Sequence, residues 1–427
     1  MSTSILAING GKPVIQKPLP RVYNIGREEI KAVTDLMKAG PLSDYVGASG
    51  EYFLGGKEVK KLEKSFCRKF KVKHAVSFNS ATTALHAAVA ALGIGPGDEV
   101  IVPPLSMSAT ATVVIMNGAV PIFADVDERS FCIDPKSVAK KITKRTKAII
   151  AVNLFGGPAD LNALTKLAKA NGIKIIEDNA QSPGGIYQGK FTGTVGDIGV
   201  FSFNVHKVMQ SGEGGILVTD NDEYCYRAQL ARNHGENIVS DQMDFVAGPI
   251  MGSNYRMTEI EAAIANQQLR KLDFFNRERL KLTDYLTKKL SNIAGLELPV
   301  VAPGDRHVFY VYPIKINAAK LGVSRDLFVD AMKAEGFVMS KGYVRPLYLL
   351  PIFQNKQVFN KTKFPFVWSG YAGEADYSPG ICPVAERLYK EELTFTGICQ
   401  YPYDKSVIDL FVKAVKKIVD NIHELKQ

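Results

Sequence analysis

Tryptophan is almost absent from the chain, with one residue in 427, and cysteine is scarce, with five. The cysteines (Cys67, Cys132, Cys225, Cys382 and Cys399) are odd in number, scattered, and never spaced as C-x-x-C. That pattern excludes a disulfide framework and a cysteine zinc site, so ordinary core thiols and no metal are expected. No stretch approaches the roughly 20 apolar residues of a membrane helix, and the N-terminal "MSTSILAINGGKPVIQ" has no basic region leading into an apolar one. The expectation is a cytoplasmic protein without a membrane partner. Also missing is a G-x-G-x-x-G after the first strand-like run, which a nicotinamide-dependent Rossmann enzyme would need. "GIGPGDE" follows a helical pattern and does not supply it.

What is present is 46% hydrophobic and 22% charged residues, a soluble globular composition long enough for two or three domains. The net charge of +10 invites a nucleic-acid reading. Yet the basic residues come as short clusters ("KEVKKLEK", "KKITKRTK", "RKLDFFNRERLK") mixed with acids at helical spacing, as on a solvated face. No nucleic-acid partner is expected, although anionic metabolites are drawn to such a surface.

From about residue 75 to 220, apolar runs of strand length alternate with amphipathic helical patterns. "HAVSF", "EVIVPP", "VPIFADV", "KAIIAVNLFG", "KIIEDNA", "DIGVFSF" and "GGILVTD" supply the strands. "AIIAVNLF" and "IKIIEDNA" are apolar on successive residues, as strands covered on both faces are. This is an α/β pattern with a mixed, mostly parallel sheet flanked by helices, in which ligands collect at the carboxyl ends of strands. Residues 256–295 read as one long helix. Beyond it the pattern is α+β, with "HVFYVYPIKI" strand-like, "SRDLFVDAMKAEG" helical, an irregular stretch near 340–382 and a closing helix from Lys405. The expected division is a large domain with an N-terminal arm over residues 1–275 and a smaller α+β domain over 276–427.

The strand-end loops carry the chemistry. In "SFNSATTALHAA" a strand turns into a helix start, so the amides of Ala81 and Thr82 point outward at the positive end of the helix dipole, a place for phosphate or carboxylate. A Ser80 N-cap with nothing bound explains the same residues. Asp178 ends a strongly apolar strand, where an unpaired carboxylate is costly to bury. A pyridinium N–H would satisfy it, and so would a salt bridge or a helix N-cap. Gln181 follows three residues on. In "FSFNVHKVMQSGEGG", Ser202 and Lys207 follow an apolar strand before the chain turns back through "GEGG". A desolvated lysine has a lowered pKa and attacks carbonyls, although most lysines are simply exposed. The glycines of "SGEGG" suit either close backbone approach or a tight turn.

Together, "SATTALHAA", "PGDEVIVPPLSMSATAT", "IIEDNAQSPGG", "GDIGVFSFNVHKVMQSGEGGILVTD", "RNHGEN" and "NYRMTEIEAAIANQQLRKLD" resemble successive motifs of the DegT/DnrJ/EryC1/StrS sugar aminotransferases. The resemblance runs through residues 6–355. It implies the aspartate-aminotransferase fold (fold type I) and pyridoxal 5'-phosphate (PLP), cycling through pyridoxamine phosphate. It further implies that Lys207 carries the cofactor covalently, Asp178 pairs with its ring nitrogen, Gln181 lies beside the ring and Ser202 binds the phosphate. The amides of Ala81 and Thr82 match the phosphate cradle, and Asn254 matches an asparagine that reaches the phosphate from a neighbouring subunit, implying a homodimer with shared active sites. Where many members stack an aromatic residue on the ring, this chain has Met107, whose thioether also packs on a π-face.

One branch of the family, the sugar 3-dehydratases, has histidine in place of the lysine, and His206 stands next to Lys207. Register from Ser202 and from Glu213 both put the lysine at the family position, with His206 a neighbour. Transamination from L-glutamate or L-glutamine to a keto or aldehyde group of a sugar, keto-octulosonate or cyclitol is therefore expected, serving surface glycan, lipopolysaccharide or secondary-metabolite synthesis. A dehydratase and a non-catalytic protein on the same fold are the alternatives. His234, Arg256, Tyr343 and Arg345 are candidate substrate contacts.

Overall fold

The computed structural model describes residues 5–236, 238 and 250–425; residues 1–4 of the N-terminal stretch and Asn237, which closes "RNHGEN", lie outside them. Helices α1 (Arg27–Ala39) and α2 (Lys57–Phe70) precede a seven-stranded sheet. Its strands are β1 (His74–Phe78), β2 (Glu99–Val102), β3 (Val120–Phe123), β4 (Thr146–Val152), β5 (Lys174–Asp178), β6 (Ile198–Ser202) and β7 (Gly215–Thr219). They lie in the order β1-β7-β6-β5-β4-β2-β3. Every pairing from β3 across to β6 is parallel, and β7 runs antiparallel to both β6 and β1. The mixed, mostly parallel sheet read from the apolar runs is what forms. Only Lys147 of β4 is exposed, and β6 and β7 are buried throughout, because helices cover both faces.

The connecting helices are α3 (Ala81–Ala91), α4 (Ala109–Met116), α5 (Leu161–Asn171) and α6 (Asp222–Arg232). The long helix α7 spans Glu259–Leu290. Thr258 and Glu261 close a capping box at its start, where the Thr258 hydroxyl accepts the Glu261 N–H and the Glu261 carboxylate accepts the Thr258 N–H. Its Leu269 and Leu272 pack with Phe201, Phe203 and Met209 beside the sheet, whereas Leu282, Leu286 and Leu290 enter a second core. That second core is built on the antiparallel strands β8 (Leu296–Glu297), β9 (Tyr312–Ile316) and β10 (Leu393–Thr396), with helices α8 (Arg325–Ala334) and α9 (Lys405–Asp420). Chain segments cross between the cores. Leu6 packs in the second, and Leu347, Phe353, Tyr377 and Leu388 pack in the first. The Tyr377 hydroxyl donates to the Pro121 carbonyl on the edge strand β3, 2.9 Å away.

One expected strand is shorter than its sequence suggests. "HVFYVYPIKI" alternates like a strand from residue 307, but pairing begins only at Tyr312. Phe309 is left-handed at φ 48°, and the carbonyls of Phe309 and Tyr310 accept from Arg279 Nη1 at 3.1 and 3.2 Å. With those acceptors taken by α7, the segment turns off the sheet.

Gly215 opens β7 against the first turn of α3. A Cβ there would lie 2.5 Å from the Ala81 nitrogen, a backbone atom that cannot yield easily. Gly215→Ala should lower the unfolding free energy by about 1–3 kcal/mol, the usual cost of forcing volume into a packed core. Urea denaturation checks this, and an unchanged midpoint at unchanged slope would contradict the close approach.

Candidate active site

The sheet register brings three of the motif loops together. Asp178, the last residue of β5, pairs with Val200 of β6; Ser202, the last of β6, pairs with Gly215 of β7, on which α3 begins. The carboxyl ends of two adjacent parallel strands and one helix start thus face the same space.

Asp178 is 6% exposed. Its Oδ1 accepts the Ala180 N–H at 3.1 Å and its Oδ2 accepts the Thr110 hydroxyl, from α4, at 3.3 Å. No salt bridge or helix cap involves it among the described residues. Burial pushes its pKa above the usual carboxylate value, opposed by the Ala180 amide, the Lys207 charge and Thr110. Lys207 is its counterpart. Desolvation lowers the lysine's pKa while the Asp178 charge raises it, and Nζ sits 4.8 Å from the centre of the Tyr310 ring. Loss of hydration favours the neutral form of such an amine, the form that is nucleophilic.

The loop that presents Lys207 folds on itself. The Lys207 N–H donates to the Asn204 carbonyl (2.8 Å), the Val205 N–H to the Gly212 carbonyl (2.9 Å), and the Asn204 amide to Glu213 Oε1 (2.9 Å). Val208 and Met209 anchor it in the core. Gly212 and Gly214 adopt φ of 87° and 135°, so they make the tight turn, while Gly215 makes the close approach. Ser202 is buried, and its hydroxyl oxygen accepts the Asn204 N–H at 3.3 Å. The Ser80 hydroxyl does cap α3, accepting the Thr83 N–H at 3.1 Å. The amides of Ala81 and Thr82 at that helix start have no intrahelical acceptors.

Gln181 is fixed at both ends of its carboxamide. Its Oε1 accepts the Phe155 N–H at 2.7 Å and its Nε2 donates to the Tyr343 hydroxyl at 3.0 Å. Phe155 (φ 57°) turns its amide toward Gln181, and its ring meets Tyr343 edge-on at 5.2 Å. Asp178, Lys207, Gln181 and Tyr343 therefore form one group. Among the described residues, none of the other candidates hydrogen-bonds to this group. Met107 is 54% exposed on the approach to α4, and His206, Asn254 and Arg345 are exposed. His234 (φ 51°) donates its backbone N–H to the Ser253 carbonyl, and Arg256 Nε donates to Asn233 Oδ1 at 2.8 Å.

Residues that the motif reading did not single out also take part. Thr110 is the second residue of α4, directly after "SMSA", a position that a strand-end reading could have marked. Glu177 is fully buried and accepts the amides of Gly193, Val195 and Gly196 at 2.7–2.8 Å, holding the turn that feeds β6. Tyr310 has no motif of its own.

The sequence profile of the DegT/DnrJ/EryC1/StrS aminotransferase family matches residues 24–375. The chain belongs to this family. It is 33% identical over 436 aligned positions to the L-glutamine:2-deoxy-scyllo-inosose aminotransferase of Streptoalloteichus tenebrarius, covering 99% of both chains. It is 37% identical over 297 residues to the GDP-perosamine synthase of Caulobacter vibrioides, covering 69% of this chain and 78% of that one. Among solved structures, the aminotransferase from Psychrobacter cryohalolentis superposes with a TM-score of 0.81 at 27% identity, covering 95% of this chain and all of that one. The DegT/DnrJ/EryC1/StrS chain is thus an aminotransferase of fold type I. Its residues fit PLP: among the described residues there is a buried carboxylate with no cation bonded to it, an amine without a hydrogen bond, and helix amides beside a buried serine.

The raised pKa of Asp178 fixes the sign of a pH effect. A carboxyl that holds its proton more tightly when folded costs stability as pH rises from the unfolded value, near 3.9, through the folded one. In the cofactor-free protein, Asp178→Asn should raise Tm by about 2 °C or more at about pH 7. The gain should shrink toward about pH 4. Calorimetry at both pH values tests this, and a lower Tm for the variant at neutral pH would contradict it.

Proposed function

We propose that this aminotransferase moves the amino group of L-glutamate or L-glutamine to a keto or aldehyde group of a sugar, keto-octulosonate or cyclitol, using PLP held by Lys207. The observation that carries the reading is the pairing of Asp178, buried without a bonded cation, with the desolvated Lys207 amine. When bound, PLP supplies an electron sink that makes the α-hydrogen of an amino acid removable. Lys207 would hold it covalently, and its amine would serve as the base that takes the proton from the substrate Cα. Asp178 keeps a proton on the ring nitrogen. Gln181, its carboxamide already oriented, holds the ring from the side. Ser202, the amides of Ala81 and Thr82, and the partner subunit's Asn254 bind the phosphate, so the reading includes a homodimer.

The acceptor class is supported by relatives named for a nucleotide-linked amino sugar, GDP-perosamine, and for a ketocyclitol, 2-deoxy-scyllo-inosose. Product then feeds surface glycan, lipopolysaccharide or secondary-metabolite synthesis. A cytoplasmic address agrees with five unpaired cysteines, four of them buried. Among the described residues no helix is long and apolar enough to cross a membrane, and no side-chain cluster is suited to a metal.

Keto-sugars, keto-octulosonate and scyllo-inososes screened against each donor, with the oxo-acid product as readout, should identify one acceptor class that turns over. Lys207→Ala should reduce that turnover by about a thousandfold or more, the contribution of a general base that is also the covalent anchor. Full turnover by the variant would exclude the assignment of Lys207.

A further inference from the structure

Lys207 is half-buried with its amine partly desolvated, and an amine placed so ordinarily finds hydrogen-bond partners in the protein. Lys207 Nζ has none among the described residues, and the group that faces it is the Tyr310 ring, 4.8 Å from Nζ to the ring centre. Four contacts fix the backbone that carries that ring. Arg279, buried on α7, donates Nη1 to the carbonyls of both Phe309 and Tyr310. His307 Nδ1 accepts the Phe309 N–H at 2.8 Å, and the two rings stack with centres 3.9 Å apart. Phe309 is held at φ 48°, a left-handed conformation that a phenylalanine rarely adopts. Such strain persists only where surrounding contacts over-determine it, and it gathers at functional sites.

We propose that Tyr310 is a positioning residue for Lys207: the Arg279–Phe309–His307 clamp presents its ring face to Nζ and holds the lysine's charged end beside Asp178. The proposal rests on the reading of Lys207 as the reactive amine. Two titratable groups face Lys207, Asp178 from the end of β5 and Tyr310 itself; Tyr343 in turn faces Asp178 and Tyr310, and Arg279 faces Tyr310 from α7. Their effects oppose. Desolvation favours the neutral amine, whereas the ring face and the Asp178 charge favour the ammonium. A ring that acts on the ammonium and a ring that only fills space therefore predict opposite results. Loss of the first lowers the Lys207 pKa, and loss of the second admits water and raises it.

The test is competitive acetylation of the full-length chain after removal of any bound cofactor. Mass spectrometry of the Lys207 peptide across a pH series gives the pH of half-labelling for wild type, Tyr310→Leu and Tyr310→Phe. The leucine variant keeps most of the volume without a π-face and should shift the midpoint down by about half to one unit. The phenylalanine variant keeps the face and should stay within about 0.3 unit of wild type. An unchanged or raised midpoint in Tyr310→Leu, or an equal fall in Tyr310→Phe, would overturn the proposal. Circular dichroism checks folding, and Tyr310→Met replaces the leucine variant if that one does not fold. Because the measurement needs neither cofactor nor turnover, its failure leaves the transaminase reading standing, and a failure of that reading leaves this result interpretable.

Discussion

The carboxylate of Asp178 is carried to the end of a buried strand with two hydrogen bonds and no ion pair among the described residues. Water would stabilise that charge better than this site does, so folding the ligand-free chain works against it. The rest of the site is arranged around that cost. Thr110 and the Ala180 amide offset part of it, and the Lys207 charge is near enough to oppose the upward pull of burial without bonding to the carboxyl. A buried acid with a residual demand for a proton donor is what a protonated ring nitrogen satisfies. The same demand explains why the lysine is kept close but unbonded, since a salt bridge would silence both groups.

Backbone placement makes this possible. Adjacent parallel strands deliver Asp178 and Ser202 to the same end of the sheet, and the missing Cβ of Gly215 lets α3 start against them. Glu177, one residue before Asp178 and pointing to the other face, ties down the turn into β6 through three backbone amides. One strand end thus carries a structural carboxylate and a functional one, separated only by the two-residue alternation of a strand.

Much of this was legible in the sequence because burial on both faces writes continuous apolar runs, as in β4 and β5, and because polar residues at the ends of such runs stand out. Lys207, Asp178, Gln181 and Ser202 stand out that way as candidates, and the roles expected of them come from the family resemblance. Tyr310 was hidden for the opposite reason. "HVFYVYPIKI" alternates as a strand does, and its departure from the sheet depends on Arg279, 30 residues earlier on another element. Phe155 contributes a backbone amide through a left-handed conformation that its side chain does not announce. The passage of Leu6 into one core and of Leu347, Phe353 and Tyr377 into the other was equally silent, because local pattern states that a residue is buried and not against what.

The central claim is that Lys207, and no other of the chain's lysines, is the amine that captures the cofactor carbonyl. The direct measurement is borohydride reduction of the full-length protein loaded with PLP, followed by proteolysis and mass mapping of modified lysines. The account predicts a stoichiometric phosphopyridoxyl mark on Lys207 alone. A mark on another lysine, or none after saturating cofactor, would contradict it.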